Sequence, residues 1–158
     1  MFKQLRAGSD QRGFTLIEVL VSMAIMGITL GIVAGGSVSW TRAREQSGSA
    51  QQLVSFMRQA QQRALTEATS YCVKFDTMRT YTMRKGTCAS AITRGPAETD
   101  SAAVTMAASF VQADGTDAAQ VVFTPRGTAS PGTATVSRPG RADIVVQVEG
   151  LTARVSTD

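Results

Sequence analysis

Residues 13–38 read GFTLIEVLVSMAIMGITLGIVAGGSV, an apolar run that contains a single charged side chain, Glu18. From Phe14 onward the run is about 25 residues long, which is enough for a helix to span a bilayer. Residues 1–13 are polar, with three basic residues and one acidic residue. The positive-inside rule keeps such a segment in the cytoplasm and sends the rest of the chain outward. We therefore predict a single-pass membrane helix with an N-in, C-out topology.

Glu18 is the feature that distinguishes the possible interpretations of this run. A secretory signal has a shorter apolar core, although the small residues at Ala34 and Gly35 resemble a signal cleavage site. A plain membrane anchor gains nothing from a carboxylate, which costs up to a few kcal/mol on insertion. Charges within membrane segments usually have a function. Glu18 therefore favours a third interpretation, in which a leader is cut off before the apolar run and the run itself is kept.

The residues around Glu18 resemble a known signal. Gly13-Phe14-Thr15-Leu16-Ile17-Glu18-Val19 is similar to the class III signal of type IV pilins and type II secretion pseudopilins. The resemblance implies that prepilin peptidase cuts between Gly13 and Phe14 and that the new Phe14 amine is methylated. It also implies that the Glu18 carboxylate meets the N-terminal amine of a neighbouring subunit during assembly, which would supply the partner that a desolvated charge needs.

Gly27, Gly31 and Gly35 recur at four-residue spacing and would lie on one face of a helix. Small residues at this spacing allow another helix to approach closely. Alternatively, these glycines together with Gly36 only weaken the helix, each by roughly 1 kcal/mol relative to alanine. The sequence leaves both interpretations open.

The rest of the chain predicts an α+β fold. Small and apolar residues recur at three- and four-residue steps after Trp40, so one helix is expected from about Phe14 to Glu67. Short β-like segments separated by turn residues follow, and we expect them to form an antiparallel sheet packed against the helix. The predicted organisation is a leader peptide, a membrane helix, an amphipathic helix continuing into the head, and a β-rich head, at residues 1–13, 14–38, 39–68 and 69–158.

Turn residues divide the second half of the chain into short predicted strands. Gly95-Pro96 and Asp114-Gly115 mark loops, and the stretch from Thr87 to Ala103 is expected to be a surface loop. A tight hairpin is predicted at Glu149-Gly150. The segments assigned to strands are Tyr71 to Phe75, Thr80 to Arg84, Val104 to Met106, Ser109 to Val111, Gln120 to Thr124, Thr133 to Val136, Ile144 to Val148 and Leu151 to Val155.

Two cysteines, Cys72 and Cys88, lie in the part of the chain that the predicted topology places outside the cytoplasm. Disulfides persist in that environment, so we expect these two residues to be linked. The crosslink would stabilise the head by roughly 3 kcal/mol. The alternative is a pair of unlinked, small hydrophobic side chains.

The head resembles a narrower group, the GspH/FimT family of minor pseudopilins and minor pilins. The similar segments are LVSFMRQAQQRA at 53–64, VFTPRG at 122–127 and GLTARV at 150–155. The resemblance implies a low-abundance subunit near the tip of a filament or in a priming complex. The region 86–119 resembles nothing that we can name.

Catalysis is not expected. The sequence contains no histidine, which excludes Ser-His or Cys-His nucleophilic pairs and histidine-ligated metals. The carboxylates have no metal-binding or phosphate-binding spacing, and Asp114 and Asp117 alone do not make a calcium site. We expect no cofactor and no metal.

The expected function is that of a minor subunit in a type IV pilus, with a type II secretion pseudopilus as the alternative. The expected partners are prepilin peptidase, other major and minor pilins or pseudopilins, and inner-membrane lipid before assembly. A function of another class, DNA binding during uptake, would depend on four arginines on one face. Gly140-Arg141-Ala142-Asp143 lacks the second arginine of the GRxR-like motif of DNA-uptake relatives, so this alternative is disfavoured. The four candidate residues are Arg126, Arg138, Arg141 and Arg154.

Overall fold

The computed structural model describes residues 14–158, with the side chains of residues 33–42 left outside that description. In this part of the chain one helix, α1, precedes nine β-strands, which confirms the predicted α+β fold. The described chain divides into two compact units, the first ending at Trp40 and the second covering residues 41–158. Helix α1 covers Leu16–Thr66, so its first part belongs to the first unit and the remainder to the second.

In the first unit, Thr15 caps the start of α1. The backbone amide of Glu18 lies 3.1 Å from the Thr15 carbonyl oxygen and 3.4 Å from its Oγ1. A threonine at this position satisfies amides that have no partner within the first helical turn. Among the residues whose side chains are described, no helical stretch combines the length and the apolarity needed to cross a membrane.

The second unit contains two antiparallel sheets where the sequence predicted one. The first sheet has the order β3-β2-β1-β6 and the second has the order β5-β4-β7-β8-β9. The bounds are β1 Tyr71–Phe75, β2 Thr80–Lys85, β3 Ile92–Glu98, β4 Thr105–Val111, β5 Asp117–Ala118, β6 Gln120–Phe123, β7 Gly132–Ser137, β8 Ile144–Val148 and β9 Val155–Thr157.

The core of this unit joins the helix to both sheets. Helix residues at three- and four-residue spacing are buried, as expected for an amphipathic helix with one face against a core. They meet apolar side chains from strands of both sheets, including Tyr81, Phe110 and Val146. Tyr81 lies edge-on to Phe56 of the helix, with ring centroids 4.9 Å apart. The buried helix residues of this core are Ala50, Leu53, Val54, Phe56, Met57, Ala60 and Ala64.

Three local predictions are wrong. Gly95-Pro96 and their neighbours were predicted as a loop but lie within β3, which occupies an outer position in its sheet. The two short segments predicted at 104–111 form one continuous strand, β4. The predicted tight hairpin at Glu149-Gly150 is a longer connection, because Ala153 adopts a left-handed backbone conformation and β9 begins only at Val155.

Candidate functional site

The described part of the first unit presents a continuous apolar surface. Its large side chains from Phe14 to Ile32 are all exposed, and Ile32 itself is 72% exposed. A patch of this size is unusual on a soluble monomer and indicates contact with lipid or with another protein. Gly13, the predicted residue before the cleavage point, lies outside the described residues.

The hydroxyl groups within this apolar surface are satisfied by the helix itself. Ser22 Oγ donates to the Glu18 carbonyl oxygen at 2.7 Å, and Thr29 Oγ1 donates to the carbonyl oxygens of Ile25 and Met26 at 3.0 Å. Such bonds within the helix remove the cost of placing a hydroxyl in an apolar environment. The segment therefore suits either lipid or a dry helix bundle.

Glu18 is the exception on this surface. Its carboxylate makes no hydrogen bond or ion pair with any residue that the structure describes. Glu18 also lies in the first turn of α1, where the positive end of the helix dipole favours an acidic side chain. The dipole offsets part of the cost of a desolvated charge, and a cationic partner would offset more.

Two of the three glycines predicted to pack helices are described. A Cβ atom added to Gly27 or to Gly31 would meet nothing within 4 Å, so both face open space in the single chain. That exposure is compatible with close approach by another helix, as the four-residue spacing predicts. Gly35 lies among the residues whose side chains are not described.

In the head, Cys72 and Cys88 form a disulfide, with Cα atoms 5.2 Å apart. Cys72 lies in β1 and is fully buried, whereas Cys88 follows β2 and is partly buried. The bond closes the β1–β2 hairpin at its open end, which agrees with the predicted pairing.

Polar contacts that the sequence did not reveal hold the helix to the second sheet. Gln46 is buried, and its Nε2 donates to the carbonyl oxygens of Val136 and Ala142 at 3.0 and 2.9 Å. Glu45, one residue earlier, forms an ion pair with Arg138. These pairs join residues about ninety positions apart, so only the folded chain shows them.

The structure does not bring the four candidate DNA-binding arginines together. Arg138 is engaged with Glu45 and largely buried, and Arg141 lies close by in the same turn. Arg126 precedes Gly127, where an added Cβ atom would lie 3.8 Å from the Leu65 side chain near the end of α1. The helix rises by roughly 30 Å over the twenty residues from Glu45 to Leu65. One phosphate-binding patch therefore does not contain both Arg126 and the two arginines near Glu45.

Arg154 belongs with Arg126 at this distal end. It lies in the β8–β9 connection, where the Thr152 carbonyl oxygen accepts a hydrogen bond from Gln61 of the helix. Arg126 and Arg154 are both exposed. The four arginines thus form two separated pairs.

No group of three or more metal-binding side chains occurs among the described residues. Asp114, one of the two loop carboxylates considered above, accepts hydrogen bonds from the hydroxyl and amide of Thr116 at 2.6 and 3.0 Å. These bonds lower the pKa of the Asp114 carboxyl group, with the hydroxyl making the larger contribution. Asp114 therefore stabilises a turn.

Two family models match the chain. Residues 8–34 match the prokaryotic N-terminal methylation motif, and residues 49–152 match the type II transport protein GspH. The second match covers well over half of the chain. The chain belongs to the GspH family. This identification places it among the minor pilins and pseudopilins, which are prepilin-like, membrane-anchored subunits of pilus-type assemblies.

Solved structures share the fold of this GspH-family chain. The type IV minor pilin FimU of Pseudomonas aeruginosa is 13% identical, with a TM-score of 0.58, and the match covers 75% of this chain and 92% of FimU. The minor pseudopilin EpsH of the Vibrio cholerae type II secretion system is 15% identical, with a TM-score of 0.54, covering 72% and 92% of the two chains. No curated protein matches the sequence.

Proposed function

We propose that this GspH-family chain is a minor subunit of a type IV pilus, joined to the filament through its N-terminal helix. The observation that supports the proposal most strongly is Glu18, a charge without a described partner on an otherwise exposed apolar helix surface. Cleavage after Gly13 would create an N-terminal amine at Phe14, four residues away. The corresponding amine of a neighbouring subunit would neutralise Glu18 inside the bundle.

Before assembly, the apolar surface of residues 14–38 would lie in the inner membrane, with residues 1–13 in the cytoplasm and the head outside. Assembly would exchange lipid for the helices of other subunits. The apolar surface is buried both in the membrane and in the filament, so this burial does not favour one over the other. The filament would instead be favoured by the pairing of Glu18 and by close helix packing at Gly27 and Gly31. Gly35 would extend the same packing face.

The chain acts in this proposal as a structural subunit and not as an enzyme. The sequence supplies no histidine. Charged side chains that form ion pairs in the second unit stabilise its fold. For example, Lys85 Nζ lies 2.6 Å from Glu67 Oε2. The buried polar residues of the helix likewise bind backbone groups of the head.

The second candidate is a minor pseudopilin of a type II secretion system, which is favoured by the description of the matching family as a type II transport protein. The two candidates share the same N-terminal chemistry and differ in the assembly that the subunit joins. Deleting the gene would remove surface pili in the first case and stop the release of folded proteins in the second. Measuring both phenotypes in the same deletion strain separates the candidates.

N-terminal processing tests what the two candidates share. Mass spectrometry of the protein from membranes should find a chain that starts at Phe14 and carries one added methyl group. In a strain without prepilin peptidase, the same protein should retain residues 1–13. A chain that starts after Gly35 or Gly36 would instead indicate ordinary secretion and would contradict the proposal.

A further inference from the structure

A groove of about 880 Å³ runs along the head beside the exposed face of α1. The helix forms one side of the groove, β3 forms another, and Thr157 of β9 completes it. Both strands are outermost in their sheets, so the two sheets are open at this position. All of these residues belong to the unit of residues 41–158.

The helix side of the groove is lined with glutamines. The side-chain amides of Gln51, Gln52 and Gln62 make no hydrogen bond with any residue that the structure describes. Each amide has both donors and an acceptor, which is the combination that a peptide backbone needs. Beneath them, Val54 and Phe56 provide an apolar floor.

The groove is also positively charged. Arg58 donates through Nη2 to the Val155 carbonyl oxygen at 3.0 Å, and Arg94 donates to the side-chain oxygen of Gln59. The Arg94 guanidinium also lies 5.8 Å from the ring centroid of Phe56. These partners are all neutral, and neither arginine forms an ion pair within the described part of the chain.

Acidic residues near the groove are occupied elsewhere or do not line it. Glu98 of β3 forms an ion pair with Arg79 at 2.9 Å. No aspartate or glutamate is among the residues that line the groove. Two guanidinium groups are thus held in position by neutral contacts, with their charge available to a ligand.

We propose that this groove binds an extended, acidic polypeptide segment. Carboxylates of the segment would pair with Arg58 and Arg94, and its backbone amides would bind the glutamine side chains. In the filament the segment would come from a neighbouring subunit, an assignment that rests on the proposed function, whereas peptide binding by the groove does not.

The distribution of charge favours a polypeptide over a nucleic acid. Arg94 contacts Gln59, the residue next to Arg58, so both arginines lie at the same level along the groove. The helix residues that line the groove on either side of this level, Gln51, Gln52 and Ser55 before it and Gln62 after it, contribute no charge. A nucleic acid carries a phosphate at every nucleotide and needs cations along the whole length of its site. A peptide whose carboxylates meet the two arginines at this one level matches the groove better.

Strand addition to β3 is not required for this binding. Pro96 lacks a backbone amide hydrogen, and the register of β3 against β2 shifts twice between Tyr81 and Arg84. Both features are typical of sheet edges that are protected from pairing with another strand. The helix glutamines and the two arginines therefore provide the main contacts.

The test uses the full chain in detergent micelles and a fluorescent peptide of about ten residues that alternates threonine and glutamate, long enough to fill an extended site. Fluorescence anisotropy should show that it binds more tightly than the same peptide with glutamine in place of glutamate. The R58Q/R94Q variant should weaken binding by about three- to thirtyfold, the range expected for two exposed ion pairs.

A matched control is the R126Q/R141Q variant, which loses the same charge from exposed sites outside the groove. It should bind the acidic peptide within about twofold of the wild type. R58K/R94K loses the same two guanidinium groups but keeps both charges, so it should bind more tightly than R58Q/R94Q. If both double variants lost binding equally, the cause would not be the lost charge. Thermal unfolding of each variant reports whether the head is intact.

Several results would overturn the proposal. Equal weakening by R58Q/R94Q and R126Q/R141Q would mean that net charge alone attracts the peptide. An absence of peptide binding at millimolar concentration would remove the groove as a binding site. If a single-stranded oligonucleotide bound through Arg58 and Arg94 while the peptide did not, the ligand would be a nucleic acid. None of these results bears on N-terminal processing, so the proposed function is tested separately.

Discussion

Removing the Cys72–Cys88 disulfide should destabilise the head by about 3 kcal/mol. The two residues are separated by 16 positions, and the chain-entropy model gives roughly this value for a loop of that length. For the unit of residues 41–158, which has about 120 residues, the loss corresponds to a fall in Tm of about 10 °C. Both ends of the bond lie within the head, so α1 should keep its helical content.

The experiment compares urea unfolding of residues 41–158 in oxidised and reduced form, because reduction keeps both sulfur atoms and changes only the crosslink. The C72A/C88A variant should unfold at a similar urea concentration to the reduced protein and should not respond to reductant. Since Cys72 is fully buried, losing its sulfur adds up to about 1 kcal/mol. A difference below about 1 kcal/mol between oxidised and reduced protein would refute the reasoning, as would free thiols in the untreated protein.

Two further predictions concern β7 and the helix end. G132A should destabilise the head by about 2 kcal/mol or more in a urea titration, because the added Cβ would overlap the Ser109 carbonyl oxygen and lie 2.6 Å from the Phe110 Cα. The comparison variant is G115A, whose added Cβ would meet no atom within 4 Å. Because Gly115 has positive φ, G115A should still cost about 1 kcal/mol. Hydrogen bonds from Lys85 and Tyr71 lower the pKa of Glu67 below its ordinary value of 4.5. The stability that these bonds contribute is present above pH 4.5 and is lost as the pH falls through the lowered pKa of Glu67. In thermal unfolding, E67Q should therefore lose less stability than the wild type on acidification. The same pH dependence in both proteins would contradict this prediction.

The elements with a strong sequence pattern were predicted well. Helix α1 combines an apolar run with a three- and four-residue repeat, and β1 and β8 have the predicted bounds. The disulfide was predictable because the topology placed both cysteines outside the cytoplasm. In these segments, the pattern of burial in the fold is also the pattern of residue types along the chain.

The segment that forms β3 could not be predicted in this way. Six of the seven residues of Ile92–Glu98 are exposed, so the strand has no buried face to impose alternation of apolar and polar residues. Gly95-Pro96 is also a typical turn signal. Its pairing with β2 and its place beside the groove depend on the folded head, which is why the groove was missed.

The ion pair between Glu45 and Arg138 was missed for a similar reason. In the sequence Arg138 was one of four equivalent candidates for a basic surface, and nothing in the neighbouring residues distinguished it. The fold places it against the helix, next to the buried Gln46. Long-range polar pairs of this kind have no local signature, so sequence patterns cannot assign them.

Incorporation of a Glu18→Gln variant into sheared surface filaments tests the central claim most directly. Glutamine removes the charge that would neutralise the Phe14 amine of a neighbouring subunit, and leaving that amine unpaired in an apolar bundle should reduce incorporation about tenfold or more. Thr29→Val, which changes a hydroxyl that binds only its own helix, is the matched control and should assemble normally. At equal levels of processed protein in the membrane, a strong loss for E18Q alone is the expected result. Normal incorporation of E18Q would contradict the account.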